Sequence, residues 1–344
     1  MKIRHLSDKI IWFGKHTGYE LLSDYLKQIN NQIKSICLPH NLMLRGIGKL
    51  YSSYKKWPER NSISALSEFI FDLVTKNKDI IKHILYLEHH LIYMEKWKNK
   101  APRNIIGTIH HPPIQWYEER IKFLKKLSSA IVLYKKDIKF FEKYVGKNRV
   151  KFIHHGCDTD FFKPKEDQYK NHVLSVGHHR RNFPMLIRII KKLSKRYKNL
   201  IFDIVIPEKF KNPYFFKDLI NNKSVIWHHK ISDEKLLEFY QKSLILLIPI
   251  NHSGANNSII ESLSCGLPIV TTDVGGVRDY GGGSIYPIVK NDDDDTMIKL
   301  VEKYLSDETY RNKISKKQRE FAEQKLAWPI IAKKHLEVYK ELIE

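Results

Sequence analysis

Apolar runs of strand length alternate with helical patterns along the whole chain. Two stretches, 18–33 and 62–75, carry apolar residues at helical spacing. The short apolar runs between such stretches are typical of parallel strands that helices cover on both faces. The predicted strands are 10–13, 84–87, 105–109, 130–133 and 150–153 in the first half, and 173–176, 201–206, 224–227, 244–248 and 268–272 in the second.

A polar, charged segment separates the two series of strands. Residues 154–171 read HHGCDTDFFKPKEDQYKN and include Gly156 and Pro164. Since 344 residues exceed what one hydrophobic core usually holds, we predict two domains, 1–165 and 166–328. The chain is predicted to be helical after Asn291, with the acidic run 292–295 capping a helix near 296 and Pro329 in the first turn of a last helix, 329–344.

Composition favours a cytoplasmic protein. No run of about 18 apolar residues is present to span a bilayer, and the first residues lack the pattern of a secretory signal. The three cysteines are scattered without metal spacing, which is expected in a reducing compartment.

The net charge of +22 needs a separate explanation. Basic residues cluster in 49–60, 96–103 and 122–147, and residues 118–144 mix lysines with apolar residues in a pattern also found on membrane-surface helices. An anionic membrane at the inner face is one explanation, and an amino-acid composition rich in lysine, isoleucine and asparagine is the other. Specific nucleic-acid binding is not expected, because no recognisable binding motif accompanies the charge.

Residues 249–276, PINHSGANNSIIESLSCGLPIVTTDVGG, have the layout of a ligand site. A polar loop with a glycine precedes a short helix that contains Glu261, and a buried strand and a Gly-Gly turn follow. Where a strand ends and a helix begins, free backbone N–H groups and the helix dipole attract phosphate. A carboxylate one to two turns into that helix can accept hydrogen bonds from a ribose diol.

Four segments in the same order resemble the large retaining family four of GT-B glycosyltransferases. They are the donor segment just described, VKFIHHGCDTDFFKP at 150–164, VLSVGHHRRNF at 173–183 and AWPIIAKKHLEVYKELI at 327–343. The resemblance implies an α/β fold with two Rossmann-like, doubly wound parallel-sheet domains facing a central cleft. It also implies a first domain that binds the acceptor, a second that binds a nucleotide-sugar, and a last helix that crosses back to the first domain.

The resemblance also assigns residues. The segment IIGTIHHPP places His110 beside the donor sugar, as the catalytic candidate, and IIWFGKHTGY places Gly18 near the donor phosphates. The chain departs from the family at Ser253 and Asn256, which stand where the family has a glutamate and a glycine. The expected donor-binding residues are Gly18, Arg180, Arg181, Ser253, Gly254, Asn256, Asn257, Ser258 and Glu261.

The activity implied is transfer of a sugar, with retention, from a UDP- or GDP-linked donor to a saccharide or lipid-linked acceptor in cell-surface polysaccharide synthesis. We expect no cofactor and no metal: Asp158 and Asp160 have the spacing of a metal-binding pair but lie in the segment between the domains, and the run 292–295 precedes a surface helix. The alternatives are a nucleotide-sugar epimerase or phosphorylase on the same fold, or a catalytically silent nucleotide-binding relative.

Overall fold

The chain divides into two α/β units, each built around one parallel sheet. In the computed structural model, which describes residues 1–8, 10, 14–54, 62–76, 79–90, 104–116, 118–165 and 171–343, the units are Met1–Gly156 with Trp328–Glu344, and Cys157–Ala327. The division falls after Gly156 rather than near residue 165. The reason is that Cys157 bridges to Ala327 and donates its N–H to the Leu326 carbonyl at 2.7 Å, inside the second unit.

The first unit has a six-stranded sheet in the order β2-β1-β3-β4-β5-β6, and every described pair is parallel. Its strands are β1 Ile3–Leu6, β2 Ile33–Ile36, β3 Ile81–Ile84, β4 Ile105–Ile109, β5 Ser129–Val132 and β6 Val150–Phe152. Its helices are α1 Leu21–Ile29, α2 Leu42–Tyr54, α3 Ser62–Val74, α4 Leu87–His90, α5 Glu118–Ile121 and α6 Ile138–Val145, with 3-10 turns at Pro113–Gln115 and Lys122–Lys126.

The second unit has a five-stranded parallel sheet in the order β11-β10-β7-β8-β9. Its strands are β7 His172–Val176, β8 Ile201–Val205, β9 Val225–His228, β10 Ile245–Ile248 and β11 Ile269–Thr271. Its helices are α7 Phe183–Arg196, α8 Lys217–Ile220, α9 Asp233–Lys242, α10 Asn257–Ser264, α11 Asp294–Ser306 and α12 Glu308–Phe321, with 3-10 turns at Glu208–Phe210 and Val277–Tyr280 and a π-helix at Ala322–Leu326. The last helix, α13 Trp328–Glu341, belongs to the first unit.

The strand predictions succeed best in the second unit, where all five lie on observed strands. These strands are apolar runs between helices, and β10 is buried at every position, so the parallel-sheet pattern is clear in the sequence. The capping prediction is also confirmed, because the Asp293 side chain accepts from the Thr296 N–H at 3.1 Å and α11 begins at Asp294.

The predictions are poorer in the first unit. Residues 11–13 of the predicted strand 10–13 lie outside the described residues, and β1 and β2 were not predicted. In β1 the buried His5 interrupts the apolar pattern, and in the edge strand β2 only Ile33 is buried. The strand predicted at 84–87 is β3 at Ile81–Ile84, because Lys82 and His83 are polar yet buried.

Candidate functional site

The predicted donor loops lie at the topological switch point of the second sheet. From β7 the chain continues to β8 on one side, whereas β10 lies on the other side of β7 and continues to β11. Ligands of open α/β sheets bind where neighbouring strands diverge in this way. Two backbone bonds hold the loops after these strands together: Asn182 N–H to the Pro249 carbonyl at 2.8 Å and Asn251 N–H to the Arg180 carbonyl at 2.9 Å.

Arg181 is a buried cation at this switch point. Its Nε and Nη2 donate to the Val176 carbonyl at 3.0 and 2.6 Å, and Nη2 also donates to Ser258 Oγ at 3.0 Å, in the first turn of α10. Burial lowers the pKa of Arg181 to about 10, so the guanidinium stays charged at neutral pH. Within the described residues, none of the ion pairs includes Arg181.

Arg180 is placed differently. Its side chain is exposed, and its backbone has φ +57°, in the left-handed region. The sequence left open which arginine meets the donor phosphate. Arg181 reaches the helix that follows the polar loop, through Ser258 Oγ.

The loop before α10 is ordered by its own side chains. Asn256 is the N-cap, and its side chain accepts from the Ile259 N–H at 3.4 Å, so Asn257 and Ser258 form the first turn. Ser253 is buried, its Oγ donates to the Gly254 carbonyl at 3.1 Å, and its own carbonyl accepts from Gly276 N–H at 2.7 Å. Asn256 is therefore a helix cap, a structural role that the sequence analysis did not assign to it.

Glu261 lies inside the unit rather than on the helix surface. It is only 5% exposed, and its Oε2 accepts a hydrogen bond from the Tyr240 hydroxyl of α9 at 2.9 Å. Glu261 is therefore not an ordinary solvent-exposed helix glutamate. Tyr240 was missed, because nothing in the sequence of α9 distinguishes it from a core aromatic residue.

The first unit brings the other two predicted residues into one cluster. His110 follows β4, and its Nε2 lies 2.8 Å from the Leu85 carbonyl, which requires the proton on Nε2. Its ring stacks on Tyr86 at a centroid distance of 4.8 Å and meets the Tyr19 ring edge-on at 5.0 Å. Burial lowers the pKa of His110 to about 4, so the imidazole is neutral at physiological pH.

Gly18 joins this cluster through its neighbours. It has φ +123°, and a Cβ there would meet the Glu20 carboxylate at 2.3 Å. The Tyr19 N–H donates to the Tyr86 hydroxyl at 2.8 Å, and that hydroxyl donates to Glu20 Oε2 at 2.6 Å. The turn at Gly18 is thereby tied to the ring that stacks on His110.

Glu88 is a further residue of the cluster that the sequence analysis missed. Its Oε1 accepts the backbone N–H groups of His110 and, at 2.7 Å, of His111. Although burial raises the pKa of Glu88, the two histidines and these N–H groups outweigh it and lower the pKa overall. A buried carboxylate thus fixes the turn after β4.

The acidic segments have structural partners. Arg188 pairs with Asp292 at 3.1 Å and with Asp294 at 2.7 Å, and Asp158 accepts from the Phe161 N–H at 3.1 Å. Across the described part of the chain, no group of three or more His, Cys, Asp and Glu side chains is arranged to hold a metal ion.

The segment 118–144, whose pattern suggested a membrane-surface helix, contributes its apolar residues to the core. Ile121, Leu124, Leu127 and Phe141 are buried together with the sheet of the first unit. The lysines between them produced the amphipathic pattern, but the apolar face packs inward. In the described residues, no helix is both long enough and apolar enough to cross a membrane.

Comparisons with known proteins give consistent similarities. Residues 157–321, most of the second unit, match the family described as Glycosyl transferases group 1. The chain is 25% identical over 328 residues to an uncharacterized glycosyltransferase of Methanocaldococcus jannaschii, covering 91% of this chain and 87% of that protein.

Solved structures extend the similarity to both units. Sucrose-phosphate synthase from Thermosynechococcus elongatus has a TM-score of 0.77 at 12% identity and covers 100% of this chain and 99% of that one. HepE from Anabaena, solved in complex with UDP and glucose, has a TM-score of 0.74 at 14% identity over 99% of this chain and 100% of that one. The fold with two parallel-sheet α/β units is thus that of GT-B structures, as predicted. The family match and the curated relative support the class of glycosyltransferases.

Proposed function

We propose that this chain transfers a sugar, with retention, from a nucleotide-sugar to a hydroxyl of a saccharide or lipid-linked acceptor in the synthesis of a cell-surface polysaccharide. The second unit binds the donor, and UDP or GDP is the nucleotide. No metal takes part, because a fixed cation and a helix N-terminus stabilise the leaving group.

The observation that carries the proposal is the buried Arg181, which has no carboxylate partner among the described residues. A buried charge is costly unless an opposite charge or several hydrogen bonds compensate it. The guanidinium donates to the Val176 and His179 carbonyls and to Ser258 Oγ, and these neutral acceptors hold the cation in place without neutralising its charge. A diphosphate at the switch point supplies the missing negative charge, and the first turn of α10 offers it backbone N–H groups.

Glu261 is proposed to accept hydrogen bonds from the ribose hydroxyls. Its carboxylate is already held inside the unit by the Tyr240 hydroxyl, so it is oriented before the nucleotide binds. Ser253 replaces the glutamate that the resemblance would place on the transferred sugar, and its hydroxyl is engaged by the Gly254 carbonyl. Asn257, in the first turn of α10, and the side-chain NH₂ group of the capping Asn256 are proposed to meet the sugar in its place.

In the proposed reaction, the bond from the sugar's anomeric carbon to the phosphate oxygen breaks as the acceptor oxygen bonds to that carbon from the same face. The departing phosphate takes the acceptor proton, and the products are the glycoside and the nucleoside diphosphate. His110 is proposed to hydrogen-bond the donor sugar. Its Nε2 proton is held by the Leu85 carbonyl, so in this neutral tautomer the acceptor Nδ1 is the ring nitrogen proposed to receive a hydrogen bond from a sugar hydroxyl.

Two measurements test the proposal. Calorimetry with UDP and with GDP should show binding of at least one of them; no binding at millimolar concentrations would overturn the proposal, and binding without any product in the second measurement would favour the silent relative. Incubation with nucleotide-sugars, with and without saccharide acceptors, should then give an acceptor-dependent product whose anomeric configuration, by NMR, matches that of the donor. An epimerised nucleotide-sugar formed without acceptor would establish the epimerase instead, and an inverted product would refute retention.

A further inference from the structure

Helix α2 turns four of its large apolar side chains away from the protein. Leu42, Met43, Ile47 and Leu50 are exposed, Leu42 by 86% and Leu50 by 74%. At 100° per residue these four positions fall within an arc of about 140° on one side of the helix. A surface helix of a water-soluble domain normally presents the opposite arrangement.

The face of α2 that packs against α3 includes two small residues and one aromatic ring, Gly48, Ser52 and Tyr51. A Cβ at Gly48 would meet the Ser62 carbonyl at 2.0 Å, so α2 approaches the start of α3 at this glycine. Ser52 is buried one turn further on, and the Tyr51 and Phe69 rings meet at 4.9 Å. The outward apolar face is thus not left over from core packing. On α3 the exposed apolar residues are Phe69, Leu73 and Val74.

Basic residues border the apolar face. Arg45 and Lys49 are exposed, and at helical spacing they lie along one edge of the arc. The sequence of α2, LMLRGIGKLYSSY, contains no acidic residue. A helix with an apolar face and a basic border matches the composition of helices that lie in the headgroup region of an anionic bilayer.

We propose that the outward face of α2 binds the surface of an anionic membrane, with Leu42, Met43, Ile47 and Leu50 inserted and Arg45 and Lys49 on the lipid headgroups. The charge of the chain favours this partner over a second copy. Two copies joined through α2 would bring their basic borders together on chains that each carry a net charge of +22. The proposal does not depend on the proposed transferase activity, since membrane binding is measured without donor or acceptor.

Vesicle flotation with the whole chain tests the proposal. The protein should float with vesicles of phosphatidylcholine and phosphatidylglycerol and stay behind with phosphatidylcholine alone. Leu42→Gln together with Leu50→Gln should weaken binding by about tenfold or more, given the transfer free energy of one leucine side chain. Arg45→Gln with Lys49→Gln should weaken it by roughly tenfold and reduce its dependence on salt.

The matched controls are Ile114→Gln, an apolar side chain that is also 86% exposed, and Lys147→Gln, an exposed lysine elsewhere in the same unit. Both should bind as the unchanged protein does. Equal binding by the double leucine variant, or equal binding to both kinds of vesicle, would overturn the proposal. So would self-association in solution, measured by analytical ultracentrifugation, that the double leucine variant abolishes.

A second readout does not rely on loss of binding. Cys37 is the exposed cysteine, while Cys157 and Cys265 are buried, so a Cys37→Ser background allows one added cysteine to be labelled. A polarity-sensitive dye on Leu50→Cys should shift its emission to the blue when anionic vesicles are added, and the same dye on Ile114→Cys should not. An unshifted dye at position 50 on vesicle-bound protein would show that another surface binds the lipid.

Discussion

Arg181 and Glu261 are two charged residues that the second unit holds inside rather than at its surface. Glu261 is bonded to Tyr240, and Arg181 to the Val176 carbonyl and Ser258. The sequence identified both positions by their place in a motif, but it could not predict their burial. Burial matters because a charge held by fixed neutral groups is already oriented, and binding then costs little rearrangement.

Arg181→Gln should lower the affinity for UDP or GDP by about tenfold to a hundredfold, since a charge-assisted hydrogen bond contributes roughly 1.5–3 kcal/mol. Calorimetry measures the change. Arg181→Lys keeps the charge but not the two parallel N–H donors of a guanidinium. Its affinity should lie between that of the unchanged protein and that of Arg181→Gln. The control is Arg188→Gln, whose partners are Asp292 and Asp294; a similar loss there would show that the effect is not specific to Arg181.

Glu261→Ala should weaken nucleotide-sugar binding by about 1–3 kcal/mol through the loss of its hydrogen bonds to the ribose. Tyr240→Phe is the informative partner, because it removes the hydroxyl that now bonds Glu261 Oε2 and leaves the carboxylate in place. Its affinity should fall by less than that of Glu261→Ala, because the carboxylate that bonds the ribose remains but is held less firmly. If Tyr240→Phe weakens binding as much as Glu261→Ala does, the pair acts by holding the helices together and not by contacting the ligand.

At the level of elements, the loop between β10 and α10 depends on the Gly-Gly turn that follows β11. Gly275 has φ +55°, and a Cβ there would meet the Ser253 carbonyl at 2.0 Å, while Gly276 N–H donates to the same carbonyl. The motif was visible in the sequence. Only the fold shows that the turn sets the position of the polar loop, because the two segments are separated by a helix and a strand.

Gly275→Ala should lower the free energy of unfolding of the second unit by roughly 1–3 kcal/mol, because it combines a left-handed backbone with a clash against backbone atoms. Nucleotide affinity should fall with it as the loop at Ser253 shifts. Gly46→Ala is the contrasting control, since nothing lies within 4 Å of a Cβ there and alanine favours the helix by roughly 0.5–1 kcal/mol. Urea unfolding measures the free energy of unfolding of both variants. An unchanged value for Gly275→Ala would show that the turn at Gly275 does not require glycine.

At the scale of the whole molecule, a buried polar network joins α13 to the sheet of the first unit. His83 contacts the Tyr339 hydroxyl at 2.6 Å and Thr108 at 2.8 Å, and the Tyr19 hydroxyl contacts His335 at 2.7 Å. Tyr339 and His335 come from the end of the chain. The network therefore closes the first unit with a segment that follows the whole second unit in sequence.

This network should make the first unit sensitive to acid. Burial lowers the pKa of His5 to about 3 and of His335 to about 4, and it holds the pKa of His83 well below the ordinary value of 6.5. Each is neutral when folded and protonates when unfolded. The contribution of each histidine to the free energy of unfolding is complete above its unfolded pKa of 6.5. It is lost as the pH falls towards the folded pKa, by roughly 2 kcal/mol per histidine at about pH 5.

Hydrogen exchange followed by mass spectrometry, at about pH 7 and about pH 5 after correction for the intrinsic exchange rates, measures this change in each unit separately. Protection in β1, β3 and α13 should fall more than in β10 and α10. His89 and Glu68 shift in the opposite direction, towards higher pKa, and offset part of the loss. An equal fall in both units would contradict the assignment to the buried histidines.

The sequence by itself determined the architecture: two series of parallel strands, the order of the donor motif, and the caps of helices such as α11. These features depend on local patterns of apolar residues, capping side chains and turns, which are legible along the chain. It failed at β1 and β3, where buried His5, Lys82 and His83 disguise strands as polar segments, because a buried polar residue is recognised only by its distant partners. It also failed at the edge strand β2, where only Ile33 is buried.

Only the tertiary structure decided which charges are buried and which apolar residues face solvent. The lysine-rich segment 118–144 has the pattern of a membrane-surface helix, yet its apolar residues pack in the core. Helix α2, in contrast, exposes apolar residues to solvent. A helical pattern shows that an apolar face exists; what lies against that face depends on the packing of other elements. For the same reason the sequence could name Arg181 and Glu261, but only the fold shows that both are held inside the second unit.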